Sequence, residues 1–297
     1  MTEIEQAAAL LHAGRLVAFP TETVYGLGAN ALDASAVERI FEAKGRPKTS
    51  PLIVHVASIE MARSLALEWP DVGERLAQAF WPGPLTLVVR KQPCIPSIVT
   101  AGLDTVGLRM PAHPVAQDLL RASGLPLAAP SANRFTELSP VTAQHVRDSL
   151  GDRVALILDG GPCTVGIEST VLSVAVEPPV LLRPGIASAQ DIEALIGPIR
   201  RTADPESGPH QSPGQHVRHY SPRKPLYLVD SNDALPAGNG VYLPRSSMPA
   251  AAPEYAAKLY GTLHELDHRE IDWIAIERPP STPEWEAVND RLRRASV

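Results

Sequence analysis

The apolar stretches of this 297-residue chain are short, and most end in a small polar motif marked by proline or glycine. Runs over 16–19, 52–56, 85–89, 106–109, 125–129, 154–158, 171–175 and 180–182 have the length of buried strands. Helical spacing fills the gaps. Thr2 and Glu5 make a capping-box pattern ahead of Ile4, Ala7, Ala8 and Leu11, and the pattern stops at Gly14. A second helix is predicted from Ser35, boxed by Glu38, with Val37, Ile40 and Phe41 inward and its end at Lys44-Gly45. Further helical patterns cover 58–68, 71–80, 114–122, 142–150 and 188–196. Strands interleaved with helices predict an α/β domain on a large, twisted, mixed sheet.

The motifs at the strand ends read Pro20-Thr21-Glu22-Thr23-Val24-Tyr25-Gly26-Leu27-Gly28, Lys44-Gly45-Arg46-Pro47-Lys48, Ser50-Pro51-Leu52-Ile53-Val54-His55 and Val106-Gly107-Leu108-Arg109-Met110-Pro111. They continue with Ala129-Pro130-Ser131-Ala132-Asn133, Glu168-Ser169-Thr170-Val171 and Leu182-Arg183-Pro184-Gly185. Strand ends are where α/β proteins gather site residues, so the series predicts one polar, anion-binding site. Singly, each has a plain reading. Thr21-Glu22-Thr23 suits a turn, Lys44, Arg46 and Lys48 a solvated loop, and Ser131, Asn133 and Ser169 tight turns. Arg183 suits a strand cap. His55 lies on the face of its strand opposite Leu52, Val54 and Val56, where a hydrogen-bonded core histidine is as natural as a ligand contact. Arg46 offers a planar fork to phosphate or carboxylate, and a buried Arg109 needs an anionic partner that a ligand can supply.

Several chemistries drop out. Gly26-x-Gly28 lacks the third glycine of a dinucleotide loop, and neither a Walker loop nor a Gly-x-Ser-x-Gly elbow occurs. The nine histidines have no zinc-type spacing, and Cys94 and Cys163 cannot make a disulfide framework. A formal charge of −6 and a pI near 5.9 argue against a nucleic-acid coat while leaving room for a local basic cleft. The start, Met1-Thr2-Glu3-Ile4-Glu5, is unlike a signal peptide, and no apolar run reaches the ~18–20 residues of a membrane span. A soluble, cytoplasmic protein is expected.

Composition changes after Gly197: from Arg200 to Arg223 the chain is rich in Pro, Gly, Ser, His and Arg without apolar periodicity. This reads as a linker or mobile loop. Beyond it, strand patterns at 226–229, 241–243 and 273–276 and helical patterns at 253–266 and 283–294 predict a small second α/β unit. The expected division is a catalytic domain over 1–198, a linker or lid over 199–223 and a small C-terminal domain over 224–297.

In this order the motifs closely resemble the threonylcarbamoyl-AMP synthase family, built on the YrdC-like domain, over about residues 4–197. The linker's Pro213-Gly214 and Arg218-His219-Tyr220-Ser221-Pro222 look like those of the family's longer, two-domain branch. The resemblance implies a large twisted mixed-sheet YrdC-like domain plus a small Rossmann-like α/β unit. It implies a nucleotidyltransferase that makes threonylcarbamoyl-AMP and pyrophosphate from L-threonine, bicarbonate and ATP, with Mg2+ accompanying ATP and no assigned protein ligand for it. A separate tRNA threonylcarbamoyl-transfer complex would take the product, so contact with tRNA would be indirect. By matching position, Thr23, His55, Arg109, Ala129 and Ser169 would surround L-threonine, with Arg109 on its carboxylate. Arg46, Ser50, Thr105, Ser131, Asn133, Ser139 and Arg183 would hold ATP, and Lys44, Arg46 and His55 would serve catalysis. Arg218 and Tyr220 would belong to a lid that closes over the nucleotide. Two departures stand out: the family often has asparagine where Ser50 stands, and the C-terminal unit is short for the two-domain branch. Two alternatives are a carbamoyl-transfer protein of the hydrogenase-maturation type, which would need Cys-x-x-Cys motifs, and a non-catalytic RNA-binding module, which would need aromatic interleaving.

Overall fold

The computed structural model describes residues 1–201, 220–231 and 235–297. Helix α1 (Glu3–His12) is capped as its sequence requires: Thr2 Oγ1 accepts from the Glu5 amide, and the Glu5 carboxylate accepts from the Thr2 amide. Helix α2 (Ala34–Lys44) begins before Ser35, so its cap is Asp33, which accepts from the amides of Ser35 and Ala36. It ends on Gly45 in the left-handed region, φ 63°, which turns the Arg46 loop back toward the sheet.

Ten strands form one sheet among the described residues: β1 (Val17–Phe19), β2 (Gly26–Asn30), β3 (Ile53–His55), β4 (Leu85–Arg90), β5 (Thr105–Arg109), β6 (Leu127–Ala128), β7 (Leu156–Ile157), β8 (Thr170–Ser173), β9 (Val180–Arg183) and β10 (Arg200–Arg201). Their spatial order is β10-β9-β8-β4-β5-β3-β6-β2-β1-β7. The sheet is mixed: β3 runs parallel to β5 and β4 to β8, whereas β4–β5, β3–β6 and β8–β9 are antiparallel. Helices α3 (Ile59–Leu65), α4 (Asp71–Phe80), α5 (Pro114–Ser123), α6 (Ala143–Leu150) and α7 (Ala189–Ile196) join the strands. Strand β2 falls where the sequence suggested only loop, because Gly-Leu-Gly-Ala carries no β-branched signal.

Both faces of the sheet are covered. Val17 and Phe19 of β1 pack with Leu11 of α1 and Leu119 and Leu120 of α5, whereas Ala18 packs on the other side with Val37, Ile40 and Phe41 of α2. The period of two then decides which side chains can meet. Val54, Val106 and Leu108 belong to the α2-side core. Ile53 and His55 therefore share the opposite face with Gly107 and Arg109, their register partners on β5.

The C-terminal unit is a three-stranded parallel sheet, β11 (Leu226–Val229), β12 (Gly240–Leu243) and β13 (Trp273–Glu277), with β13 in the middle. Helices α8 (Ala252–Asp267) and α9 (Glu286–Ala295) complete it, and α9 is preceded by a short 3-10 turn at Pro283–Trp285. The described ends of the expected linker both carry structure. Arg200–Arg201 adds to the sheet beside β9, Ser221 bridges to Glu137, and Tyr220 is buried. Residues 202–219, with Arg218, lie outside the described residues. No helix among the described residues is long and apolar enough to cross a membrane.

The β8–β9 pair carries one irregularity that matters for the site. Val171 lies opposite Arg183 but Leu172 lies opposite Leu181, so Leu182 is an extra residue on β9. A bulge places two successive side chains on one face. Leu182 packs with Val171, and Arg183 emerges beside it on the His55–Arg109 side instead of entering the core. Just beyond, Gly185 passes so close to β8 that a Cβ there would lie 2.4 Å from the Thr170 amide nitrogen. Gly185→Ala should therefore force the two backbones apart and cost about 1–3 kcal/mol, as overpacking does. A lowered denaturation midpoint checks this, and an unchanged midpoint would contradict the close approach.

Candidate active site

The strand ends converge on one pocket, lined among others by Thr23, Arg46, His55, Arg109, Ala129, Ser131, Ser169, Arg183 and Tyr220. Its first wall is the turn after β1. Thr21 Oγ1 donates to the Val24 carbonyl at 2.6 Å, so in its 2.8 Å contact with Thr23 the Thr23 hydroxyl is the donor. Thr23 Oγ1 meanwhile accepts from Arg109 at 2.9 Å. Its remaining lone pair suits a ligand donor.

Arg109 is 4% exposed and has an anionic partner within the protein: its Nη2 donates to Glu22 Oε1 at 2.7 Å. Glu22 also accepts from the Ala112 amide, and Arg109 Nε donates to the Gly83 carbonyl at 3.3 Å. Three of the five guanidinium donors are thus engaged by protein groups, and Arg109 lines the pocket. Beside it His55 is 3% exposed, packs edge-to-face on Phe19, and leaves Nδ1 without a protein partner. Burial, and after it the Arg109 charge, pulls the imidazole down to about 3, so it is neutral at neutral pH.

The second wall is cationic. Arg46 donates to Ser50 Oγ and the Pro51 carbonyl, stacks over Phe135, and leaves a buried Nε without a protein partner. Burial pulls this guanidinium down to about 10, which keeps it charged at neutral pH. Arg183 donates to the Ser169 carbonyl at 3.0 Å and hydroxyl at 3.2 Å, and to the Tyr220 hydroxyl at 3.4 Å. Ser169 also meets the Thr86 hydroxyl at 2.8 Å. Tyr220 holds φ 62° although buried, a conformation that a bulky residue keeps only when its surroundings fix it.

Other expected residues form a layer behind the pocket. Lys44 donates from Nζ to the Ser131 and Asn133 carbonyls, fixing the loop that carries Ser131; burial, and then the Arg46 charge, lowers its ammonium well below the ordinary range. Asn133 is buried, and its amide nitrogen closes its own loop on Arg134 and Glu137 carbonyls. Ser139 donates to Glu168 Oε1. Thr105 does not join them: it begins β5, four residues and ~13 Å along the strand from Arg109, and borders a separate cavity with Thr86 and Thr100. The sequence reading passed over Glu22 and Glu168 as turn residues. Their signal was a carboxylate embedded among hydroxyls directly after or before a buried strand.

Comparison with known proteins follows the same outline. The family described as "Telomere recombination" matches residues 9–185, and the one described as "Threonylcarbamoyl-AMP synthase, C-terminal domain" matches residues 187–297. A Bacillus subtilis threonylcarbamoyl-AMP synthase is 43% identical over 99% of this chain and 93% of its own length. A Pyrococcus abyssi threonylcarbamoyl-AMP synthase is 42% identical over 99% of this chain and 94% of its own. The crystal structure of P. abyssi Sua5 complexed with L-threonine superposes with a TM-score of 0.94 at 40% identity, covering 99% of this chain and 94% of that one. With both halves matched and the strand-end motifs gathered in one pocket, the chain belongs to the threonylcarbamoyl-AMP synthase family.

Proposed function

We propose that this protein makes L-threonylcarbamoyl-AMP and pyrophosphate from L-threonine, bicarbonate and ATP, and that a separate tRNA threonylcarbamoyl-transfer complex consumes the product. One observation carries this reading. Arg46 and Arg183 share a pocket with Thr23, His55, Arg109 and Ser169, in a chain that superposes on a relative crystallised with L-threonine. Arg109 offers its remaining donors to the threonine carboxylate without giving up Glu22. Thr23, with a lone pair left, and the neutral His55, whose Nδ1 has no protein partner, would hydrogen-bond the amine or hydroxyl.

The chemistry needs little covalent help. The neutral amine attacks bicarbonate, a carbon–nitrogen bond forms, and water leaves to give a carbamate. A carbamate oxygen then attacks the α-phosphorus of ATP as the bond to the pyrophosphate oxygen breaks, which is a nucleotidyl transfer. Both reactants are anions, so the barrier falls mainly through alignment and charge compensation by Arg46 and Arg183. Magnesium would arrive on the ATP phosphates. Among the described residues no group of three His, Cys, Asp or Glu could hold a metal ion, and both oxygens of Glu168, which lines the pocket, are already engaged.

Incubating the protein with ATP, threonine and bicarbonate tests the reading: pyrophosphate should appear only when all three are present. Release without threonine or without bicarbonate would contradict it. His55 supplies a pH test. Its folded value, about 3, lies below the 6.5 of an ordinary histidine. Between those values the unfolded chain binds a proton that the folded one refuses, so this contribution is complete above pH ~6.5 and is lost on acidification. The slope of unfolding free energy against pH from 4 to 6.5 should be shallower in His55→Asn than in the parent. Equal slopes would show that His55 titrates normally in the fold.

A further inference from the structure

Arg291 is the largest fully buried side chain described, and it reaches out of its own unit. It sits on α9, yet its Nε donates to Glu168 Oε2 at 2.6 Å and its Nη2 to the Glu168 and Pro184 carbonyls at 3.2 and 3.1 Å. Only Nη1 turns home, to Asp290 at 2.8 Å. The guanidinium carbon also lies 5.5 Å from the centroid of the Tyr220 ring. Tyr260 of α8 adds a second donor from the same unit to Glu168 Oε2, at 3.2 Å.

The two carbonyls held by Nη2 flank the residues that matter. Glu168 precedes Ser169 and Pro184 follows Arg183, and Arg183 is itself bonded to Ser169 and Tyr220. One guanidinium therefore ties together the start of β8, the end of β9 and the tyrosine after the linker. The approach is close in the backbone too: Gly166 has φ +76°, and a Cβ there would lie 2.6 Å from the Ala256 carbonyl of α8. The other side of the pocket does not share this support. Arg109 is held by Glu22, Thr23 and Gly83, all in the N-terminal unit.

We propose that Arg291 is a positioning residue for the nucleotide side of the site, through which the C-terminal unit sets the geometry of Arg183 and Tyr220 and reaches the threonine side only through Ser169. This rests on the function proposed above. A buried carboxylate stripped of its guanidinium, with two carbonyls left without donors, will rearrange. The cost should fall on whatever Arg183 and Tyr220 contact.

The test uses the full chain with three substitutions. Arg291→Met should raise KM for ATP about tenfold or more and KM for threonine by severalfold less, with Arg291→Lys in between because it restores the charge but not the fork. Val288→Ala on the same helix is buried but apolar. It should lower the melting temperature without moving KM for ATP. Equal shifts in both KM values, no shift in either, or a Val288→Ala shift as large as that of Arg291→Met would overturn the proposal. If Arg291→Met does not fold, Tyr260→Phe removes only one hydroxyl from Glu168 and should shift KM for ATP in the same direction by less; no shift would overturn it. Calorimetric binding of ATP in the same variants separates the two claims. Weaker ATP binding by Arg291→Met, in a parent that releases no pyrophosphate, would refute the reaction and keep the brace.

Discussion

Five cationic side chains, Lys44, Arg46, Arg109, Arg183 and Arg291, are buried at the meeting point of the strand ends, and burying them is what organises the rest. A guanidinium removed from water must recover its hydrogen bonds and a compensating charge from nearby groups. Each is answered differently. Arg109 has Glu22, Arg291 has Glu168, and Lys44 has two main-chain carbonyls. Arg46 and Arg183 face the pocket among hydroxyls and carbonyls. These cationic groups gather here although the chain as a whole carries a formal charge of −6. Under the proposed function, the two anionic reactants would meet beside these cations.

The same logic divides the pocket. One side is built within the N-terminal unit and held by the Glu22–Arg109 pair. The other is held across the two units by Glu168, which takes Ser139 from one and Tyr260 and Arg291 from the other. In this chain the small unit contributes directly to how the pocket wall is held.

Much of this was legible in the sequence, because strand-ending polar motifs have a local signature. The period of two placed His55 opposite Val54, and the strand end placed Arg109. Other features had no local sign. Alternation through Val180, Leu181 and Leu182 would turn Arg183 inward; the bulge that re-aims it depends on pairing with a strand seven residues earlier. Thr105 shares a face with Arg109 but stands at the far end of the strand, a distinction of distance and not of pattern. Arg291, Arg293 and Arg294 read alike as the polar end of a helix, yet their side chains are 0%, 55% and 9% exposed. Which of them reaches across is decided by how the units dock.

The central claim is that Arg109, already neutralised by Glu22, uses the remaining corner of its fork to hold the threonine carboxylate. Calorimetric titration of threonine into Arg109→Lys tests this most directly, since lysine keeps the charge and the partner but loses the planar fork. Threonine affinity should fall about tenfold or more while ATP affinity stays within about twofold of the parent. Unchanged threonine affinity would contradict the account.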